Sequence, residues 1–403
     1  MNKRIALSLA ALVLVAPVLV AQGGCKRSTR PNASVDRTKY LQAFGECTHA
    51  TVRSFQGAAG ELAAATAKLD AEPSDATRAA ARAAWEKAID LWQQAEMMTI
   101  GPAAPTGVPG GRALRDPIYA WPLVNRCFIE QNLVAKGWED PAFSTNALIS
   151  VRGLAAVEYL SYYEATDNVC PSTATINATG TWAAITADDL GKRKRAYAKV
   201  AADDVSKQST ALLDAWDPAK GNFTAMLATA GKGSALYARQ ELALNAVTDA
   251  LFYLDTETKD LKLAKPLGLP AGDGGVECTT GTCPERLESL WAKRSKAHLR
   301  NNLVGFRKLF TGCAADFSGV GFDDLLQELG AGELGKRMDA DVVAAIAAVD
   351  AVPFATLDEA LAKDSASVRR VYDAIKKITD ALKTEFVGVL GLDLPKRVEG
   401  DND

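Results

Sequence analysis

The sequence predicts an all-α fold: two antiparallel helical-bundle domains with a cleft between them. Three observations carry the prediction. Apolar residues recur at helical spacing over long stretches. Alternating β-branched runs, the mark of half-buried strands, are scarce. The breaks between the periodic stretches are rich in proline and glycine, which punctuate helices. The chain has 403 residues, enough for two domains. It is 48% hydrophobic and 24% charged, as soluble globular proteins are. A formal net charge of −3 gives no electrostatic case for nucleic acid as a partner.

The first residues stand apart from that fold. Lys3 and Arg4 precede the apolar run from Ile5 to Ala21, which ends in Gln22-Gly23-Gly24-Cys25. A basic start, an apolar run and a small-residue cleavage site read as an export signal over residues 1–24. The cysteine directly after two glycines points to bacterial lipoprotein processing, with Cys25 acylated as the first residue of the mature chain. Gln22 fits that processing signal poorly, and simple secretion is the alternative. Residues 25–37 read as a flexible tether. Loss of Lys3 and Arg4 takes the formal charge from −3 to −5. The expected location is the bacterial cell envelope, lipid-anchored at Cys25, in the outer membrane facing the periplasm or at the cell surface.

The elements follow in order. From Thr38 to about Leu69, the residues Leu41, Phe44, Val52, Phe55 and Leu62 recur at helical spacing. Pro73-Ser74-Asp75 ends this helix and caps a second one, which runs to about Thr99. Residues 101–115 form a structured loop of proline and glycine. Asp116-Pro117 is expected to start a helix that ends near Gly137, with Asp116 as its cap. Further helices are expected at about residues 145–164, 188–215, 234–256, 286–310, 342–348 and 367–390. Residues 168–186 and 267–284 are long loops. A break near Trp216-Asp217-Pro218 divides the chain into an N-terminal bundle, 38–218, and a C-terminal bundle, 219–396. Residues 397–403 form an acidic tail.

The cysteines fit an oxidising compartment. There are seven, and assigning Cys25 to lipid leaves six, an even number that favours disulfides. Cys278 and Cys283 flank a short glycine-containing loop and form the first expected pair. Cys127 with Cys170 is the second, because both lie near helix ends. Cys47 with Cys313 then follows by elimination.

Candidate chemistry is sparse. Only two histidines occur, His49 and His298, which argues against a serine–histidine triad or an HExxH zinc site. Glu46 and His49 have the Glu-x-x-His spacing of some metal sites, but a single such pair is common by chance. His298 reads as part of a solvated basic face. Glu96 lies one helical turn after Trp92, beside Met97 and Met98, where a buried carboxylate would need a partner. The plain alternative is a solvated glutamate. Glu158 stands out more. It shares a helix face with Ala155 and Tyr162, and the small Gly153 and Ala155 would let another segment come close.

Several stretches together resemble the imelysin family, also known as imelysin-like or M75 peptidase proteins. These stretches are Trp85 through Glu96 followed by Gly101-Pro102, Arg115-Asp116-Pro117 through Trp121-Pro122, Ser150 through Glu158, Lys262 through Gly268, and Asn302 through Gly312. The resemblance runs from about Tyr40 to Leu394. It implies two helical bundles with a cleft, in an exported bacterial protein that is often a lipoprotein of an iron-uptake system. It also implies a site. The family's GxHxxE histidine and glutamate are its proposed metal-binding or catalytic pair, with an earlier glutamate and aspartate nearby. Position by position, Gly153, Glu158, Glu96 and Asp116 have counterparts, but the histidine position is Ala155.

Alanine offers no lone pair, so the site loses its nitrogen ligand and its natural general base. The resulting expectation is a binding protein rather than an enzyme, linked to iron or metal acquisition through a degenerate site. Its cleft would be lined by Glu96, Asp116, Trp121, Gly153, Ala155, Glu158 and Tyr162. Glu158, Glu96 and Asp116 would be ligands for iron or zinc, weakened by the missing histidine. Partners would be iron-uptake proteins of the envelope. One alternative is an M75-type metallopeptidase that uses Glu158 with a substitute base. The other is a non-catalytic scaffold in which Glu158 pairs with Arg152 or Arg115.

Overall fold

Long amphipathic stretches become long helices in the computed structural model, which describes residues 35–271 and 278–398. The export signal, Cys25 and the end of the acidic tail lie outside these residues. In chain order the longer helices are α1 (Thr38–Ala71), α2 (Asp75–Ala95), α3 (Arg126–Ala135), α4 (Gly153–Tyr162), α5 (Ala187–Trp216), α6 (Phe223–Ala228) and α7 (Gln240–Leu251). A π-helical segment, Leu254–Ala264, follows. Then come α8 (Ser295–Phe310), α9 (Phe322–Glu328), α10 (Gly332–Asp350), α11 (Leu357–Lys363) and α12 (Ser365–Ala381). No strand occurs among the described residues.

Local chemistry explains the clean starts. Ser74 accepts from the Thr77 amide and Thr77 reaches back to the Ser74 amide, a capping box at the head of α2. Along α12, Val368, Val371, Tyr372, Ile375 and Ile378 are buried, while Arg369 and Asp373 pair on the solvent side. Burial of such a stripe, rather than helix propensity, holds the element in place.

From Asp36 onward the chain forms one compact unit. α1 packs on α2, α5 and α6; α4 lies against both α2 and α5; α10 packs on α12. The central element is α2, because α8 packs on it as well. A Cβ on Gly305 would lie 2.4 Å from the Gln94 carbonyl oxygen, so glycine is what lets α8 touch the α2 backbone. The expected break near 216–221 falls just after α5, and elements on its two sides are in contact: α1 with α6, and α2 with α8.

All three expected disulfides form: Cys47–Cys313, Cys127–Cys170 and Cys278–Cys283. Two expected helices differ in extent, 342–348 running over Gly332–Asp350 and 234–256 over Gln240–Leu251, and three others differ near the site. The Asp116 helix is a single turn, Arg115–Ile118, because Trp121 precedes Pro122 and such a residue disfavours helical backbone. α3 starts afresh with Asn125 as its cap. The helix expected from 145 begins only at Gly153, whose φ of +76° breaks the preceding segment. The helix expected from Arg286 begins at Ser295, which frees the amides of residues 291 and 292 for another use.

Candidate functional site

The end of α2, the turn at 115–121, the π-helical segment and α8 converge on a buried polar network. Glu96, the first residue after α2, has no exposed surface. The Tyr253 hydroxyl donates to its Oε2 at 2.5 Å, and Trp92 Nε1 donates to its Oε1 at 3.3 Å. Two cations flank it: Lys262 Nζ at 3.3 Å and Arg115 Nη2 at 3.6 Å. The sequence expectation of a buried, partnered Glu96 is met.

Glu288, which sequence reasoning did not single out, is the second carboxylate. The Tyr119 hydroxyl donates to its Oε1 at 2.7 Å, and Gln93 Nε2 donates to the same oxygen at 2.9 Å. Lys262 Nζ lies 3.0 Å from Oε1 and His298 Nδ1 2.9 Å from Oε2. Burial opposes ionisation of Glu288, but Lys262 and His298 outweigh it and hold the carboxyl well below its ordinary value. Tyr119 and Tyr253 are pushed well above theirs, first by burial and then by the neighbouring carboxylates.

Lys262 ties the two carboxylates together. Its ammonium also donates to Gln93 Oε1 at 2.6 Å and to Asn302 Oδ1 at 2.9 Å. Asn302 Nδ2 donates in turn to the Gln93 carbonyl and side-chain oxygens, at 2.7 and 2.9 Å. His298 has no exposed surface, which corrects its reading as part of a solvated face: Trp85 and Glu288 enclose the ring.

Glu158 is buried as well, but its partners are not arginines. Its Oε1 accepts from Ser289 Oγ at 2.8 Å, the Trp291 amide at 3.1 Å and the Ala292 amide at 2.9 Å. Burial raises its pKa above the ordinary value, partly offset by these donors and by His298. Of the two arginines expected as partners, Arg152 donates to Asp204 at 2.7 Å, and Arg115 serves Glu96 and Asp116. Gly153 allows close approach as expected. A Cβ there would meet the Ile118 carbonyl oxygen at 2.6 Å, so the turn at 115–118 abuts the start of α4. Ala155 is buried in that packing. Tyr162 lies elsewhere, donating to Glu86 at 3.1 Å beneath the Arg82 guanidinium.

Beside the network is a cleft of about 690 Å³. Its walls are largely apolar: Ile100, Ala104 and Val108 on the loop side, Leu242 and Ala246 on α7, and Leu394 near the C-terminal end. Arg115, Asp116 and Tyr253 line it too, and Arg115 and Tyr253 connect it to Glu96. Of the seven expected cleft residues, Asp116 is the one that lines this space. Glu96 lies behind Arg115 and Tyr253. Trp121 is buried with its ring 5.8 Å from Lys262 Nζ.

The three carboxylates expected as metal ligands do not meet at one point. Glu96 faces two cations, Asp116 sits on the cleft side of Arg115, and Glu158 is taken up by donors from residues 289–292. Among the described residues no group of three or more His, Cys, Asp or Glu side chains is placed to hold a metal ion. The residues present therefore do not fit a resident iron or zinc. Glu46 and His49 are held at the surface of α1 by Gln42 and Arg53.

The imelysin (peptidase M75) family model matches residues 48–384, and the chain belongs to that family. Iron-regulated protein A of Synechococcus elongatus is 24% identical over 278 residues, covering 68% of this chain. The chain spans 64% of the length of that curated relative. An imelysin-like protein from Psychrobacter arcticum has the same fold, with a TM-score of 0.64 and 17% identity over 89% of this chain and 97% of that one. An iron-regulated protein A precursor from Parabacteroides distasonis gives a TM-score of 0.67 and 14% identity over 88% and 94%.

Proposed function

We propose that this is an exported imelysin-family protein of the bacterial envelope, tethered through acylated Cys25, that binds a ligand as part of iron acquisition. The observation that carries the binding reading is the cleft: about 690 Å³, apolar on its walls, with Arg115 and Asp116 exposed to it. Such a space suits a ligand with an apolar body and a polar end. The iron link rests on the relatives named for iron regulation. Among the described residues no helix is long and apolar enough to cross a membrane, and the proposed anchor is the lipid at Cys25. Envelope proteins of the same uptake system are the proposed partners.

Binding is favoured over peptide hydrolysis by what surrounds Glu158. A peptidase site needs a base and a nucleophilic water beside the substrate. Here His298, the one imidazole near Glu158, is sealed from solvent with it, and neither residue lines the cleft.

The test is genetic and structural at once. A strain lacking the gene is complemented with the wild-type chain or with Ala246→Trp, which fills the cleft. Under iron limitation the wild type should restore growth, and Ala246→Trp should not, although it accumulates as a folded protein. Equal growth of the deletion strain and its parent under iron limitation would remove the iron link. Full complementation by Ala246→Trp would remove the cleft.

A further inference from the structure

The polar network contains a feature that an unfilled metal site would not have. Lys262 Nζ is surrounded by oxygens alone: Gln93 Oε1 at 2.6 Å, Asn302 Oδ1 at 2.9 Å, Glu288 Oε1 at 3.0 Å and Glu96 Oε2 at 3.3 Å. Two neutral carbonyls and two carboxylates form a hard-oxygen shell of the kind that binds small cations. Aromatic rings complete it, with Tyr253 at 5.2 Å and Trp121 at 5.8 Å from the ammonium. The Lys262 side chain is 2% exposed, Glu96 0% and Glu288 1%. An ammonium so deeply buried persists only because these partners replace its water.

The backbone delivers this cation. Lys262 lies on the π-helical segment Leu254–Ala264, where the widened turn departs from the ordinary 3.6-residue register. The same segment packs on α8, which supplies Asn302 and His298. Gln93 and Glu96 come from the end of α2. With Glu288 from the segment before α8, three separate stretches thus converge on the nitrogen that the π-helical segment carries.

We propose that Lys262 is a tethered cation: its ammonium fills a small-cation site built from Gln93, Glu96, Glu288 and Asn302. The chain thereby completes this centre without a metal ion. Removing the side chain while leaving the oxygens exposes a site for a small primary ammonium ion. This differs from ligand binding in the cleft and does not depend on it.

The experiment uses Lys262→Ala in the full mature chain, with n-propylammonium chloride as the probe because it replaces the deleted atoms. Tetramethylammonium chloride at the same concentration controls for ionic strength, being too large and lacking N–H donors. Lys262→Ala should melt roughly 4–7 °C below the wild type, the shift expected when a buried ion pair loses one partner in a chain of this size. n-Propylammonium should restore at least half of that loss in a saturable way, and tetramethylammonium should not. Wild-type protein exposed to manganese and zinc salts and then gel-filtered should retain no stoichiometric metal.

Equal rescue by both ammonium salts, or rescue by neither, overturns the proposal. So does one manganese or zinc per wild-type chain that is lost in Glu288→Gln. If Lys262→Ala does not fold in any buffer, Lys262→Met is compared with Lys262→Met/Glu288→Gln. A double variant more stable than the single one supports the tethered cation, and one no more stable than the single overturns it.

Discussion

Glu158 shows how little a residue's own neighbours in sequence say about its role. Its resemblance to the glutamate of the imelysin GxHxxE motif suggested half of a metal-binding pair. In the fold the carboxylate is an acceptor for three donors from residues 289–292, more than a hundred residues away. That role makes a prediction. Glu158→Ala leaves a buried hydroxyl and two amides without an acceptor and should cost about 2–4 kcal/mol in denaturant unfolding. Glu158→Gln keeps an acceptor oxygen and should cost clearly less. The two should also differ with pH. Burial raises the folded-state pKa above the ordinary value of 4.5, so the native state holds this proton more tightly than the unfolded chain does. Stability of the wild type relative to Glu158→Gln should therefore fall as pH rises from about 4.5 through the folded-state value. A difference that is flat with pH would contradict the assigned burial.

At the scale of elements, helix identity was legible but helix beginnings were not. α1, α2, α5 and α12 announce themselves by long apolar stripes. The expected helix at 116 ends after one turn and those at 145 and 286 begin late, and each departure is local and physical. Pro122 stops the first, the left-handed Gly153 delays the second, and the third yields the amides of Trp291 and Ala292 to Glu158. The disulfides make elements testable. Cys47–Cys313 joins residues 266 apart, whereas Cys278–Cys283 spans five. Loop-closure entropy then predicts that Cys47→Ala/Cys313→Ala costs about 5–6 kcal/mol, and the pair at 278 and 283 roughly 2 kcal/mol. Chemical denaturation of the two double variants checks the order, and a larger cost for the short loop would contradict it.

For the whole molecule, the decisive feature is that α2 touches both α4 and α8, so the polar network is shared by distant parts of the chain. Its charges are balanced internally: Glu96 and Glu288 against Lys262 and Arg115. Such balance makes the fold acid-sensitive. The Glu288 pKa is held below the ordinary value of 4.5 by Lys262 and His298, despite burial. Its contribution is therefore fully present above pH 4.5 and is lost as pH falls toward the folded-state value. Glu288→Gln should be less stable than the wild type at pH 7 and should show a shallower loss of stability below pH 4.5. An unchanged acid limb of the unfolding profile would contradict this.

Taken by itself, the sequence determined the helical class, the even set of six cysteines, the family resemblance and the special standing of Glu96 and Glu158, because periodicity, cysteine count and short motifs are local properties, whereas the pairing of the cysteines was fixed by the fold. Only the tertiary structure decided what those carboxylates face. Lys262, Glu288, Gln93 and the α8 pair His298 and Asn302 come from separate stretches, and no spacing in the chain relates those stretches. Their meeting depends on Gly305 letting α8 reach α2 and on the π-helical turn that carries Lys262. Packing therefore decides whether a buried carboxylate is offered to a ligand or neutralised by the chain's own cation.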